Sequence, residues 1–151
     1  MINNYFELDG DGIWLPEGWN KMDLYTKKNG RFAPRNGIYG CRWVGSLGKI
    51  KIVKKAPVSF TISGDRMVVA MLEKEGGSDQ LLRIYLEDGE EFGCIKVPKF
   101  NGDMRELPTF YSISMPAIGM DFEVKYNDGD DDYMARLTPE LKIVDVKKIR
   151  W

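Results

Sequence analysis

Val58-Ser59-Phe60-Thr61-Ile62-Ser63-Gly64-Asp65-Arg66-Met67-Val68-Val69-Ala70-Met71-Leu72 is the stretch that decides the fold class. Two runs of apolar, β-branched and aromatic residues flank Gly64-Asp65, a pair whose backbone preferences suit a turn. Met67 to Leu72 is apolar throughout, as expected of a strand covered on both faces. Upstream, Lys49-Ile50-Lys51-Ile52 alternates strictly, so both lysines project from one face of a strand and both isoleucines from the other. Ile38 to Val44 is strand-like. Further back, Asp23 to Lys28 and Arg31 to Ala33 flank Asn29-Gly30, a two-residue hairpin signal, and Pro34 ends the second arm or places it at an edge.

Downstream the same grammar continues. Leu82 to Leu86 and Phe92 to Val97 flank Asp88-Gly89, followed by Phe110 to Ser114, Phe122 to Tyr126, Tyr133 to Leu137 and Leu141 to Ile149. A turn of helix is expected only around Asn101 to Leu107, and Met1 to Met22 reads as irregular. The sequence therefore predicts one all-β domain over residues 1–151, built of many short antiparallel strands.

Self-comparison adds a candidate repeat. Tyr39-Gly40-Cys41-Arg42-Trp43-Val44 matches Phe92-Gly93-Cys94-Ile95-Lys96-Val97, and Pro57 to Ser63 matches Pro108 to Ser114. Glu75-Gly76 with Leu81-Leu82-Arg83 matches Asp128-Gly129 with Met134-Ala135-Arg136, in the same order along the chain. Three units of about fifty residues, at 1–46, 47–98 and 99–151, would make a β-trefoil-like barrel without edge strands. A two-sheet sandwich or an up-and-down barrel is the alternative architecture.

Charge is segregated along the chain. The net charge is −4 over residues 1–23, +9 over 24–64 and −6 over 65–151, which gives the chain's −1. The central stretch has no Asp or Glu and carries Lys27, Lys28, Arg31, Arg35, Arg42, Lys49, Lys51, Lys54 and Lys55, interleaved with aromatics including Trp43. Cations with interspersed rings are what a nucleic-acid or other polyanion surface requires, for phosphate neutralisation and for stacking on bases. The bland alternative is a solvated face balanced by acidic segments folded against it.

The chain contains no histidine. That removes the usual general base near neutral pH, the Ser-His and Cys-His nucleophile schemes and the common zinc sites. One metal-dependent scheme survives it, because Asp103, Glu123 and Lys125 echo the carboxylates and lysine of magnesium nucleases, with Asp121 on the face of Glu123. Asp9-Gly10-Asp11-Gly12 begins like a calcium loop but has Asn20 where a Glu is needed, so a turn is expected there. Asp128 with Asp130 to Asp132 reads as an acidic hairpin tip, able to meet a cation or the basic stretch of a second copy. Trp14 and Trp19 could anchor an interface.

Cys41 and Cys94 form no CxxC pair and are expected to be reduced, half-buried strand residues. Met1 to Gly12 lacks the basic and apolar parts of a secretory signal, and no apolar run has membrane-helix length. A cytoplasmic location and no membrane association follow as expectations. The functional expectation is a non-catalytic binding module, either a protein-interaction or an inhibitory or accessory protein. No cofactor, metal-ligand set or catalytic residue is expected for such a module, and a magnesium-dependent enzyme using Asp103, Glu123 and Lys125 is the distant alternative. The alternative is a nucleic-acid or polyanion binder acting through Lys27 to Lys55.

Overall fold

Lys49 to Ile52 keeps its alternation in three dimensions: the lysines are exposed, and Ile50 and Ile52 pack against a core cluster. The computed structural model describes residues 1–19, 37–114 and 121–150. The Asn29-Gly30 hairpin expected from the sequence lies outside these. Among the described residues there are eleven strands. They are β1 (Asn3–Asp9), β2 (Trp14–Pro16), β3 (Ile38–Gly45), β4 (Gly48–Ile62), β5 (Val68–Glu75) and β6 (Ser78–Leu86), then β7 (Glu91–Lys96), β8 (Thr109–Ser114), β9 (Phe122–Asn127), β10 (Asp132–Leu137) and β11 (Ile143–Lys148). They pair antiparallel in two sheets, one of seven strands in the order β2-β1-β3-β4-β5-β6-β7 and one of four in the order β11-β10-β9-β8.

The all-β expectation holds, and the three-unit division does not emerge from the strand pairing. The described strands divide seven and four, and the matching segments occupy unlike places. Tyr39 to Val44 is in β3, inside the large sheet, whereas Phe92 to Val97 supplies β7 at its edge. Hairpins of similar length give similar sequences without equivalent positions. Two further expectations are corrected. Of the stretch Met1 to Met22, the described part, residues 1–19, is not irregular, because β1 and β2 form there. Asn101 to Leu107 is not helical but an irregular connection held by backbone bonds from Phe100 N to Asp128 O (2.8 Å) and from Arg105 N to Gly129 O (2.7 Å).

The large sheet uses both faces of β5, which explains its unbroken apolar run. Val68, Ala70 and Leu72 join Leu82 and Ile84 of β6 against Phe110, Phe122, Val124, Tyr126, Ala135 and Leu137 of the four-stranded sheet. Val69 points the other way, into a cluster with Ile2, Tyr5, Cys41 and Trp43. All of that second cluster belongs to the large sheet and its lead-in, so the sheet curls round on itself. β3 and β6 are three positions apart, about 14 Å in a flat sheet. Yet Trp43 Nε1 donates to the carbonyl of Glu87, just past β6, at 2.6 Å, and Ser46 N donates to the Glu87 carboxylate at 2.7 Å. Arg66 fastens the same end. Its carbonyl accepts from Ile2 N at 2.8 Å, its Nε donates to Ile2 O at 2.7 Å, and its two terminal nitrogens grip Glu17 at 2.8 Å each.

Glu7 on β1 lies on the enclosed side beside Cys41, accepting from Trp19 Nε1 at 3.0 Å and from the Tyr5 hydroxyl at 3.3 Å. Burial pushes its carboxyl above the usual range, and the two hydrogen bonds offset only part of that. A carboxyl whose folded pKa exceeds its unfolded one favours folding most at low pH. That contribution is lost as pH rises through the folded value. Glu7→Gln removes the buried charge and keeps an acceptor for Trp19. The variant is expected to melt above the parent chain at pH 7 and to converge with it on acidification, as followed by circular dichroism. A lower melting temperature at pH 7 would mean that the two hydrogen bonds outweigh the buried charge.

Candidate functional site

The four-stranded sheet covers one face of the large sheet only across β5, β6 and β7. On β1, β3 and β4, the side chains opposite the curled core point outward instead. Register sets their order: Pro16, Phe6, Arg42 and Lys51 stand side by side across β2, β1, β3 and β4. The neighbouring rows bring Trp14 through its pairing with Leu8, and Lys49 opposite Val44. Arg42, Lys49 and Lys51 are exposed, while Phe6 and Trp14 are half-buried.

The rings brace the cations. The Arg42 guanidinium lies 4.4 Å from the centroid of Trp14 and 4.8 Å from that of Phe6, and Lys51 Nζ lies 5.7 Å from the Trp14 ring. Beside them is an open hollow of about 420 Å³ lined by Asn4, Phe6, Arg42, Val44, Lys49 and Lys51, with no carboxylate in its wall. Asn4 holds φ +50 where the register of β1 slips against β3, so a bulge and a strained backbone border the hollow. No described side chain forms an ion pair with Arg42, Lys49, Lys51 or Lys55.

The fold therefore gathers only part of the basic stretch. Lys27, Lys28, Arg31 and Arg35 lie outside the described residues. Trp43 is turned away, 1% exposed in the curled core, because odd positions of β3 face inward. Lys54 and Lys55 follow a register shift in β4 that inserts extra residues between the partners of Gly40 and Ile38, and Lys54 pairs with Glu73 at 3.6 Å. Phe6 was not legible as a site residue, because the signal lies in β1's pairing with β3 and not in its own pattern. Trp14 was legible as a candidate anchor, whereas Trp19 is engaged by Glu7.

The other charged constellations are internally balanced. Asp103 sits in the connection pinned to Asp128 and Gly129, while Glu123 is at the far end of β9, four residues or about 13 Å from Asn127. Glu123 instead stands opposite Arg136, whose guanidinium meets Asp145 at 3.1 Å and Asp121 at 3.6 Å. Among the described residues no three His, Cys, Asp or Glu side chains are placed to hold a metal.

The acidic turn is not a freely solvated tip. Asp128 is 9% exposed and accepts from the backbone N–H groups of Asp130 and Asp131, while Asp130 meets Arg105 at 3.1 Å and Asp131 meets Lys148 at 3.0 Å. Asp9 likewise forms a turn, accepting from the N–H of Asp11 and of Ile13 at 2.9 Å. Neither cysteine is half-buried. Cys41 is enclosed, and burial pushes its thiol up, whereas Cys94 is exposed on β7; both are unpaired. No described helix is long and apolar enough to cross a membrane.

No family model matches the sequence, and no curated protein does. The fold is similar to that of a chain in a solved structure described as Tne2 in complex with Tni2. The TM-score is 0.70 at 15% identity, over 99% of this chain and 100% of that one. At that identity the likeness is one of fold, and it extends over both chains from end to end.

Proposed function

We propose that this chain is a non-catalytic binding module whose partner is a protein, docked on the uncovered half of the large sheet. The observation that carries the reading is the row Phe6, Arg42, Lys51 with Trp14 and Lys49 beside it. It forms an exposed basic and aromatic face whose cations have no carboxylate partner among the described residues. A rigid sheet with a few ordered aromatic and arginine side chains is the usual make-up of an interface centre. Support also comes from the similar fold in the Tne2–Tni2 structure, a complex of two proteins. Occupying a partner's surface in this way suits an inhibitory or accessory role. We place it in the cytoplasm, where two unpaired thiols such as Cys41 and Cys94 persist.

A second reading, nucleic-acid or polyanion binding, is favoured by the same unpaired cations. Site-specific photo-crosslinking in the cells of origin separates the two. A benzophenone side chain at Val53, exposed on this face, is expected to give a discrete protein adduct that the same group at Lys142, on the β10–β11 turn, does not give. Adducts with nucleic acid alone would transfer the face to the second reading. Equal protein adducts at both positions would remove the face from the proposal.

A further inference from the structure

We propose that Arg42 is the anchor of this face and that the group it receives is a carboxylate, carried by an extended acidic segment of the partner protein. The inference rests on the protein-binding reading and specifies the chemistry of the partner.

A guanidinium carries its N–H groups at its rim, so Arg42, held over the rings of Trp14 and Phe6, can be braced by them and still offer its donors to a ligand. No acceptor among the described residues takes those donors. Among the described residues four other guanidinium groups have such a partner: Arg66 has Glu17, Arg83 has Glu73 and Glu91, Arg105 has Asp130, and Arg136 has Asp145. Arg42 is thus braced by two rings and has no carboxylate partner among the described residues. A planar fork with fixed orientation matches a carboxylate in two parallel hydrogen bonds and loses little side-chain freedom on binding.

The neighbouring cations set the shape of the partner. Lys49 and Lys51 project from the same face of β4 two residues apart, about 7 Å along an extended chain. Alternate residues of an extended partner segment have the same spacing, so Asp or Glu at every second position meets the lysines in step. The apolar floor from Phe6 and Val44 accommodates the stems of such side chains. Phosphate recognition on single strands would instead use the ring faces for bases, and here the guanidinium of Arg42 lies against the rings of Phe6 and Trp14. The observations therefore favour carboxylates over nucleic acid.

The test titrates the full chain, at near-physiological salt, into three fluorescein-labelled probes read by anisotropy. These are a peptide of alternating Glu and Thr, the same peptide with Gln for Glu, and an oligo-dT strand. Binding of the Glu peptide, with the Gln peptide and oligo-dT at least about tenfold weaker, is the expected result. Arg42→Lys keeps the charge and loses the fork, so it is expected to weaken the Glu peptide by about tenfold or more. Lys142→Ala is expected to leave it unchanged.

An Arg42→Lys variant with parental melting and parental affinity would overturn the inference, as would tighter binding of oligo-dT or no binding of the Glu peptide. If Val53 still crosslinks to a protein in those cases, the binding reading stands and only the carboxylate anchor falls. Loss of the protein adduct itself removes the reading beneath it.

Discussion

Gly45→Val is expected to cost about 3 kcal/mol or more of folding stability, because the substituted side chain meets backbone on the far side of the curled sheet. A Cβ built at Gly45 would lie 2.0 Å from the carbonyl oxygen of Glu87 and 3.0 Å from its carbonyl carbon. That oxygen already accepts from Trp43 Nε1 at 2.6 Å, and the Glu87 carboxylate holds Ser46 N at 2.7 Å and the N-terminal amine at 3.6 Å. Moving the Glu87 carboxylate, whose oxygen would be 2.8 Å away, gives no relief, because the closest atom is backbone. Relief requires the β3–β4 hairpin to separate from the end of β6, which opens the second core around Trp43. Urea unfolding measures the loss, and Ser46→Ala, which keeps the backbone N–H, is the comparator expected to remain close to the parent. A Gly45→Val chain with the parental midpoint would show that the curl is not closed at Glu87. Binding by the basic face should weaken with the same variant, since β3 carries Arg42.

Phe110→Ala is expected to be as damaging, by about 3–5 kcal/mol, but through the other core. Phe110 is fully buried on β8, the edge strand of the four-stranded sheet. Its ring meets Tyr126 edge-on, with centroids 6.4 Å apart. Around it the two sheets are tied by few polar links, such as Ser78 Oγ to Pro108 O at 2.7 Å. The apolar contact between β5–β6 and β8–β10 therefore holds them together. Truncating the ring leaves a cavity that extended strands cannot collapse to fill. Hydrogen exchange should show amides of β8 to β11 losing protection, while those of β3 and β4 retain more of theirs. Uniform loss across both sheets would mean that the molecule opens as one unit. A stability loss under about 1 kcal/mol would remove Phe110 as the joint between the sheets.

The two variants also separate what each core contributes to the site. Arg42, Lys49 and Lys51 sit on the reverse of residues that fill the curled core: Cys41, Trp43, Ile50 and Ile52. The ordering of the basic face is thus a consequence of packing on the opposite side of the same strands. The four-stranded sheet matters to the face differently, since it covers only β5 to β7 and leaves β1, β3 and most of β4 open on that side. An equal covering sheet would have buried the row that ends on Lys51.

Local pattern alone determined most strands of this protein and the alternation that aims Lys49 and Lys51 outward, because side-chain direction in a strand has a period of two whatever the fold. It also determined that β5 is covered on both faces, since an unbroken apolar run has no solvated side. Charge counting along the chain located the basic stretch. Pairing between distant strands decided the rest. β1 has no clean alternation and became a strand through β3. The near-repeats fell at unlike positions, because hairpin-scale similarity does not specify sheet order. Trp43 went inward and Trp14 outward according to which face the curl enclosed. The bracing of Arg42 joins residues from β1, β2 and β3, and only tertiary register brings a ring at position 6, a ring at position 14 and a cation at position 42 within van der Waals reach.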